Sequence, residues 1–163
     1  MNKPLWVLDT NVVLDLLHFD DATARPLRLA LEDGRVSCVA TAATLDELQR
    51  VLGYPGFALD AARQAALFAR YQQWTTLPET GEGGAGLPSK ETPIRHGLRP
   101  GWSRMPRCSD PDDQKFIELA AASGAQGLIS KDRAVLKLRR RCAPAFQIMT
   151  PAEAVRWLDD SAA

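Results

Sequence analysis

The sequence predicts a three-layer α/β/α fold, with a mainly parallel sheet of roughly five strands between two layers of helices. Short apolar runs alternate with amphipathic segments, turn residues separate them, and two of the runs stop just before an aspartate. Strands that alternate with helices are joined by right-handed crossovers, which produce a parallel sheet covered on both faces. Because 163 residues suffice for one core, we expect a single domain over residues 1–163.

The first half of the chain has clear start and stop signals for its elements. Pro26 fits the first turns of a helix that Gly34 closes. Thr41 and Thr44 offer hydroxyls that can cap the helix beginning near Leu45. We expect strands over residues 5–8 and 36–40, and helices over residues 12–17, 22–33, 45–52 and 59–74.

The composition changes abruptly between residues 78 and 107. This stretch holds six of the eleven glycines and five of the eleven prolines. Such a segment cannot bury enough apolar surface to offset the entropy lost on ordering, so we expect a long Gly/Pro-rich loop inserted in the domain at about 78–107.

The second half of the chain resumes with an acidic turn, residues 110–113 (DPDD), whose negative charge favours a helix N-terminus. Gly124 follows the last residue of that helix, and Thr150 and Pro151 begin the final one. The chain then predicts strands over residues 127–130 and 146–149, and helices through residue 123, over residues 133–139, and from residue 150 through residue 158.

Charge and cysteine usage exclude several kinds of site. Lys and Arg together number 20, as do Asp and Glu, so net charge alone does not indicate nucleic-acid binding. Three widely spaced cysteines favour reduced thiols, and two histidines make a zinc site improbable. The first apolar run meets an aspartate too early for an export signal or a membrane span, so we expect a cytoplasmic protein.

Acidic residues converge at one edge of the predicted sheet. Asp9 and Asp132 each follow a buried strand, and the carboxyl ends of parallel strands share an edge. Glu47, in the helix after the second strand, and Asp113, in the helix before the strand at 127–130, can reach the same edge. Four crowded carboxylates repel unless cations neutralise them, and oxygen ligands alone select hard ions such as Mg²⁺ or Mn²⁺.

Four segments, in this order, resemble the PIN domain family, a group with a Rossmann-like fold. Residues 8–12 (LDTNV) look like its first motif, and Glu47 falls where the family has its second acid. Residues 113–120 (DQKFIELA) are similar to its third-acid helix, and residues 130–132 (SKD) resemble its fourth motif. The final strand and Thr-Pro helix also match, so the resemblance covers nearly the whole chain outside the insertion.

The resemblance implies a metal-dependent endoribonuclease, close to the VapC-like toxins of type II toxin–antitoxin systems. Asp9, Glu47, Asp113 and Asp132 would be its catalytic and metal-binding residues, and in-line attack would leave a 5′-phosphate and a 3′-hydroxyl. Around these acids, hydrogen-bonding side chains would fix the carboxylates, namely Thr10, Asn11 and Ser130. The partners would be RNA and a cognate antitoxin protein. The sequence leaves the oligomeric state open, and a homodimer is one alternative, since dimers are the commonest oligomers.

Each acid also has a purely structural interpretation. An aspartate after a strand is commonly a helix cap or a turn residue. Asp110, Asp112 and Asp113 together could simply cap one helix, and Asp112 competes with Asp113 for the ligand role. Glu47 could lie on a solvated helix face. Arg133 and Ala134 stand where many PIN domains have a further Asp or Asn.

Positive charge borders the predicted acidic centre on two sides. Basic residues cluster after the strand at 127–130 and in the insertion, where an indole could also stack on a base. The candidate RNA-binding residues are Lys131, Arg133, Arg95, Arg99, Arg104, Arg107 and Trp102. The run at 139–141 has an equally good explanation as a basic helix end favoured by its dipole.

Three other functions compete with the nuclease. A PIN-like RNA- or protein-binding module with weak catalysis would suit the incomplete fourth motif and the basic insertion. A phosphatase with Asp9 as nucleophile needs an acid at position 11, which is Asn11. A receiver domain needs an acidic pair before the first helix, and the sequence has none.

Overall fold

The computed structural model describes residues 3–77, 104–143 and 145–162. In this part of the chain the strands are β1 (Leu5–Leu8), β2 (Ser37–Val39), β3 (Thr75–Thr76), β4 (Gly127–Ile129) and β5 (Gln147–Met149). They form one all-parallel sheet in the order β3-β2-β1-β4-β5. The central strand β1 therefore has β2 on one side and β4 on the other.

Helices connect these strands across both faces of the sheet. Over the same described residues they are α1 (Thr10–Leu17), α2 (Arg25–Glu32), α3 (Ala42–Leu52), α4 (Ala61–Trp74), α5 (Gln114–Ser123), α6 (Arg133–Leu136), α7 (Arg139–Cys142) and α8 (Pro151–Ala162). Short 3₁₀ turns at Pro55–Phe57 and Pro111–Asp113 precede α4 and α5.

The side chains of β1 alternate between two hydrophobic cores. Trp6 and Leu8 lie in one core with α1, α2, α3, α4 and α8, whereas Val7 lies in the other with α5, α6 and α7. Both faces of the sheet are therefore covered, as the three-layer prediction required. The apolar composition of β1 follows from burial on both sides.

The four strands predicted by residue range are all present, within one or two residues at each end. The fifth, β3, consists of only Thr75 and Thr76 beside β2, and so short a pair carries no sequence signal. Helix α2 begins at Arg25 rather than residue 22, because Asp21 first forms a turn in which its carboxylate accepts from the Thr23 amide at 2.8 Å. The last helix continues past residue 158 to Ala162.

The predicted helix over 133–139 is wrong in one respect, since it is two short helices. The Leu138 amide donates to the Val135 carbonyl at 3.0 Å, a tight i→i−3 turn that separates α6 from α7. This turn directs both Leu138 and Cys142 into the core beneath α5. Because Leu138 and Cys142 are four residues apart, they lie on the same side of this segment and pack into the same core.

Thr41 caps α3, one of the two threonines predicted for that role, but the helix begins at Ala42 rather than near Leu45; Gly124 ends α5 as predicted. Thr41 and Thr44 exchange backbone-to-hydroxyl bonds of 2.9 and 3.3 Å at the start of α3, and Gly124 ends α5 at φ +70°. None of the helices in the described ranges is both long and apolar enough to cross a bilayer. Most of the predicted insertion at 78–107 lies outside the described residues, so the insertion and the single-domain organisation stay predictions.

Candidate metal centre

The register of β1 and β4 places two polar side chains side by side. Leu8 pairs with Ile129 in the parallel ladder, so Asp9 and Ser130 leave the sheet together. The Asp9 amide donates to the Ile129 carbonyl at 3.0 Å, and the Ser130 hydroxyl donates to Asp9 Oδ2 at 2.7 Å. Both side chains are buried, so their positions are fixed by the sheet.

Ser130 also fixes the second strand-end acid. Its Oγ accepts a hydrogen bond from the Asp132 amide at 3.0 Å, and Asp132 Oδ1 accepts from the Ala134 amide at 2.8 Å as the cap of α6. Asp132 is thus a helix cap, as the structural interpretation expected, but its carboxylate also faces other acids. The hydrogen bond from the Ala134 amide occupies Oδ1 of Asp132 and fixes the orientation of its carboxylate.

Asp113 enters this site from the 3₁₀ turn before α5. The turn is capped by Asp110, whose Oδ1 accepts from the Asp112 amide at 3.0 Å. One carboxylate oxygen from each of Asp110, Asp113 and Asp132 lies within 4.8 Å of the others, a spacing that could hold a metal ion. Asp113 Oδ2 is buried and has no hydrogen-bond partner among the described residues.

The crowding changes the acidity of two carboxyls. Burial raises the pKa of Asp113 to about 7, and the negative charges of Asp9 and Asp132 contribute to the rise. Burial also raises the pKa of Asp9, although the Ser130 hydroxyl and the Asn11 backbone amide oppose this. The charges of Asp132 and Glu47 again raise it. Because neighbouring carboxylates raise the pKa of both Asp9 and Asp113, these acids form one cluster of interacting charges.

Glu47, on α3, lies at the edge of this cluster, and two donors contact its carboxylate. Its Oε2 accepts a hydrogen bond from the Thr10 hydroxyl, and its Oε1 lies 2.6 Å from the ammonium of Lys115. Glu47 is therefore close enough to affect Asp9, but its oxygens are outside the group of three acids.

The structure brings the four predicted acids together and adds two residues to them. Asp9, Glu47, Asp113 and Asp132 meet beyond the carboxyl ends of β1 and β4, while their roles in catalysis and metal binding stay predictions. Sequence reasoning assigned Asp110 only to the helix cap and did not single out Lys115. The acidic run at 110–113 was the available signal for Asp110, whereas a lone lysine on α5 carries none.

The predicted supporting residues differ in what they contact. Thr10 bonds Glu47 and Ser130 bonds Asp9. The side-chain Oδ1 of Asn11 is buried without a partner in the described structure. Asn11 acts on Asp9 through its backbone N–H, whose hydrogen bond lowers the pKa of the Asp9 carboxyl. Asp112 is exposed, and its backbone carbonyl, 2.8 Å from Lys115 Nζ, is its contact with the site.

The candidate RNA-binding residues are only partly within the described ranges. Lys131 forms an ion pair of 2.6 Å with the buried carboxylate of Asp15, so its ammonium is already engaged. Arg133, Arg104 and Arg107 are exposed. Arg95, Arg99 and Trp102 lie outside the described residues, and their predicted role stays a prediction.

Comparison with known proteins gives one match. A family model described as "PIN domain" matches residues 6–134, well over half of the chain, and the matched range includes all the acids of the site. No curated protein and no solved structure matches significantly.

Proposed function

The chain belongs to the PIN domain family, and on this premise we propose that it is a Mg²⁺- or Mn²⁺-dependent endoribonuclease. The PIN domain is generally a nuclease fold, and this chain has the acidic cluster that such a nuclease needs. The observation that carries the proposal is the Asp113 carboxylate. Among the described residues, its Oδ2 is buried without a hydrogen-bond partner, and burial together with the neighbouring negative charges raises its pKa to about 7.

The donor set fits a hard divalent ion. The group found among the described residues offers carboxylate oxygens as ligands, which suits Mg²⁺ or Mn²⁺ better than softer metals. Asp110, Asp113 and Asp132 would hold the ion, with Asp9 beside them. When bound, the ion would polarise a phosphodiester and make a water molecule more acidic.

The chain's own residues orient the reacting groups. Ser130 bonds both strand ends and so fixes the spacing between Asp9 and Asp132. The exposed guanidinium groups of Arg104 and Arg107, a few residues before the acidic turn, are available to bind flanking phosphates. An acidic centre next to basic side chains suits a polyanionic substrate.

An RNA cleavage assay tests this proposal. Purified protein is incubated with single-stranded and structured RNA, with Mg²⁺, with Mn²⁺ or with a chelator. We expect cleavage only with a divalent ion and its loss in Asp132→Asn and in Asp9→Asn. Cleavage that continues undiminished in either variant, or in chelator, contradicts the proposal. Asp46→Asn, an exposed acid on α3, is the matched control.

We further propose a toxin role in a type II toxin–antitoxin pair, with a cognate antitoxin protein blocking the acidic centre. Expression of the chain should arrest growth, and co-expression of the product of a short adjacent gene should relieve the arrest. A homodimer is proposed on general grounds, because twofold dimers are the commonest oligomers. Arrest that persists in Asp132→Asn would contradict a nuclease toxin.

A second candidate is an RNA- or protein-binding module with weak catalysis. It is favoured by Arg133 and Ala134, which stand where many PIN domains have a further polar ligand. RNA retention without cleavage, unaffected by chelator and by Asp9→Asn, would support this candidate over the nuclease.

A further inference from the structure

The ammonium of Lys115 is fixed inside the acidic site. Lys115 lies in the first turn of α5, and its Nζ is 2.6 Å from Glu47 Oε1 and 2.8 Å from the Asp112 carbonyl oxygen. The same ammonium lies 5.3 Å from the centre of the Phe116 ring. Three contacts, from α3, the 3₁₀ turn and α5 itself, thus hold a long side chain that would otherwise sample many rotamers.

We propose that this site binds a single divalent ion and that Lys115, paired with Glu47, supplies the positive charge that a second ion would bring. The inference rests on the proposed function, because it divides the acids of that site into two groups. Asp110, Asp113 and Asp132, with Asp9 beside them, form the ion-binding group, and Glu47 is the partner of the ammonium.

Space at Glu47 is the first argument. Mg²⁺ binds carboxylate oxygen at about 2.0–2.1 Å. The Lys115 nitrogen, 2.6 Å from Oε1, occupies the region in which an ion on that oxygen would lie, and the Thr10 hydroxyl engages the other oxygen. An ion bound by Glu47 would have to displace the lysine.

Charge is the second argument. Lys115 and Glu47 are 28% and 15% exposed, so solvent screens their attraction less than it would on the surface. The ammonium compensates Glu47, whereas nothing among the described residues compensates the buried Oδ2 of Asp113. The uncompensated charge is therefore concentrated in the group of three acids, where one divalent ion would neutralise it.

Counting bound Mn²⁺ tests the inference without any cleavage. Free Mn²⁺ is measured by electron paramagnetic resonance during titration of the full chain at pH 7.5. We expect one ion per chain in the wild type and two in Lys115→Met, since the vacated Glu47 then becomes a ligand. Lys115→Arg keeps the charge and should bind one ion. Lys137→Met, which removes an exposed lysine directly after α6, is the matched control and should also bind one.

Two ions in the wild type, or one ion in a folded Lys115→Met, overturns the inference and leaves the nuclease proposal standing. No bound ion in any variant overturns both. Should Lys115→Met fail to fold, Glu47→Gln decides the matter. Its Mn²⁺ affinity should fall by no more than about 10–100-fold, the cost of losing an outer-shell partner, and complete loss of the bound ion, as expected for a lost ligand, contradicts the inference.

Discussion

The Ser130 hydroxyl donates a 2.7 Å hydrogen bond to Asp9 Oδ2 and joins two strand ends that are 121 positions apart in the sequence. The same oxygen accepts from the Asp132 amide. One serine thus connects the first and fourth acids of the site. Its fully buried position makes it the side chain on which the spacing of these acids most depends.

Ser130→Ala should lower the free energy of unfolding by about 1–3 kcal/mol, because it leaves a buried carboxylate and a backbone amide without their partner. Urea unfolding monitored by circular dichroism measures this loss. Ser123→Ala is the matched control, since that hydroxyl donates only to the Leu119 carbonyl of its own helix. Equal losses in the two variants would show that Ser130 has no special role.

Asp113 should make the metal-free protein less stable as the pH rises. Its pKa is raised to about 7 in the folded chain from 3.8, so between these values the folded state holds a proton that the unfolded state has lost. Stability therefore falls from about pH 4 to pH 7 and then levels off. Urea unfolding in chelator at pH 5 and pH 7.5 measures the slope.

The slope should be shallower in Asp113→Asn, which cannot ionise. Asp112→Asn, at the exposed neighbouring position, should keep the wild-type slope. A slope that is unchanged in Asp113→Asn would mean that other groups cause the pH dependence.

Asp9→Asn should raise the melting temperature of the metal-free protein. The substitution removes a charge from a buried position where Asp132 and Glu47 repel it, and asparagine can still accept from Ser130. A gain of about 1 kcal/mol corresponds to about 2–4 °C for a chain of this size. Mn²⁺ should raise the melting temperature of the wild type more than that of the variant. No difference in either comparison would contradict a shared ion.

Lys131 and Asp15 should show measurable coupling in a double-mutant cycle of Lys131→Met and Asp15→Asn. The Asp15 side chain is only 6% exposed, but Lys131 is 45% exposed, so solvent screening limits the coupling to about 0.5–1 kcal/mol. Chemical unfolding of the four proteins gives the value. Strictly additive effects would mean that the pair does not stabilise the loop carrying Asp132.

The sequence could predict the sheet and its acidic edge because the signals are local. β1 and β4 are apolar runs that end before a polar residue, and strands buried on both faces read as such runs. The capping threonines before α3 are equally local. The two-residue β3 depends on pairing with the distant strand β2, and the break between α6 and α7 is a single i→i−3 turn that no residue pattern marked.

The inner organisation of the site could be predicted only in part. The four acids were found because each follows or precedes a recognisable element. Lys115 and Glu47 are 68 positions apart in the sequence, so their pairing could not be predicted without the fold. Asp110 is a similar case. Its position before α5 predicts a helix cap, and only the fold shows that its carboxylate lies near that of Asp132.

Calorimetric titration of Mn²⁺ into the wild type, Asp113→Asn and Asp112→Asn tests most directly whether the acidic edge of the sheet holds a divalent ion. The wild type and Asp112→Asn should bind Mn²⁺ with similar affinity, and Asp113→Asn should bind more weakly by at least about 10–100-fold, the contribution of even an outer-shell partner, or not bind at all. Binding that is equally tight in Asp113→Asn, or absent from the wild type, would contradict the account.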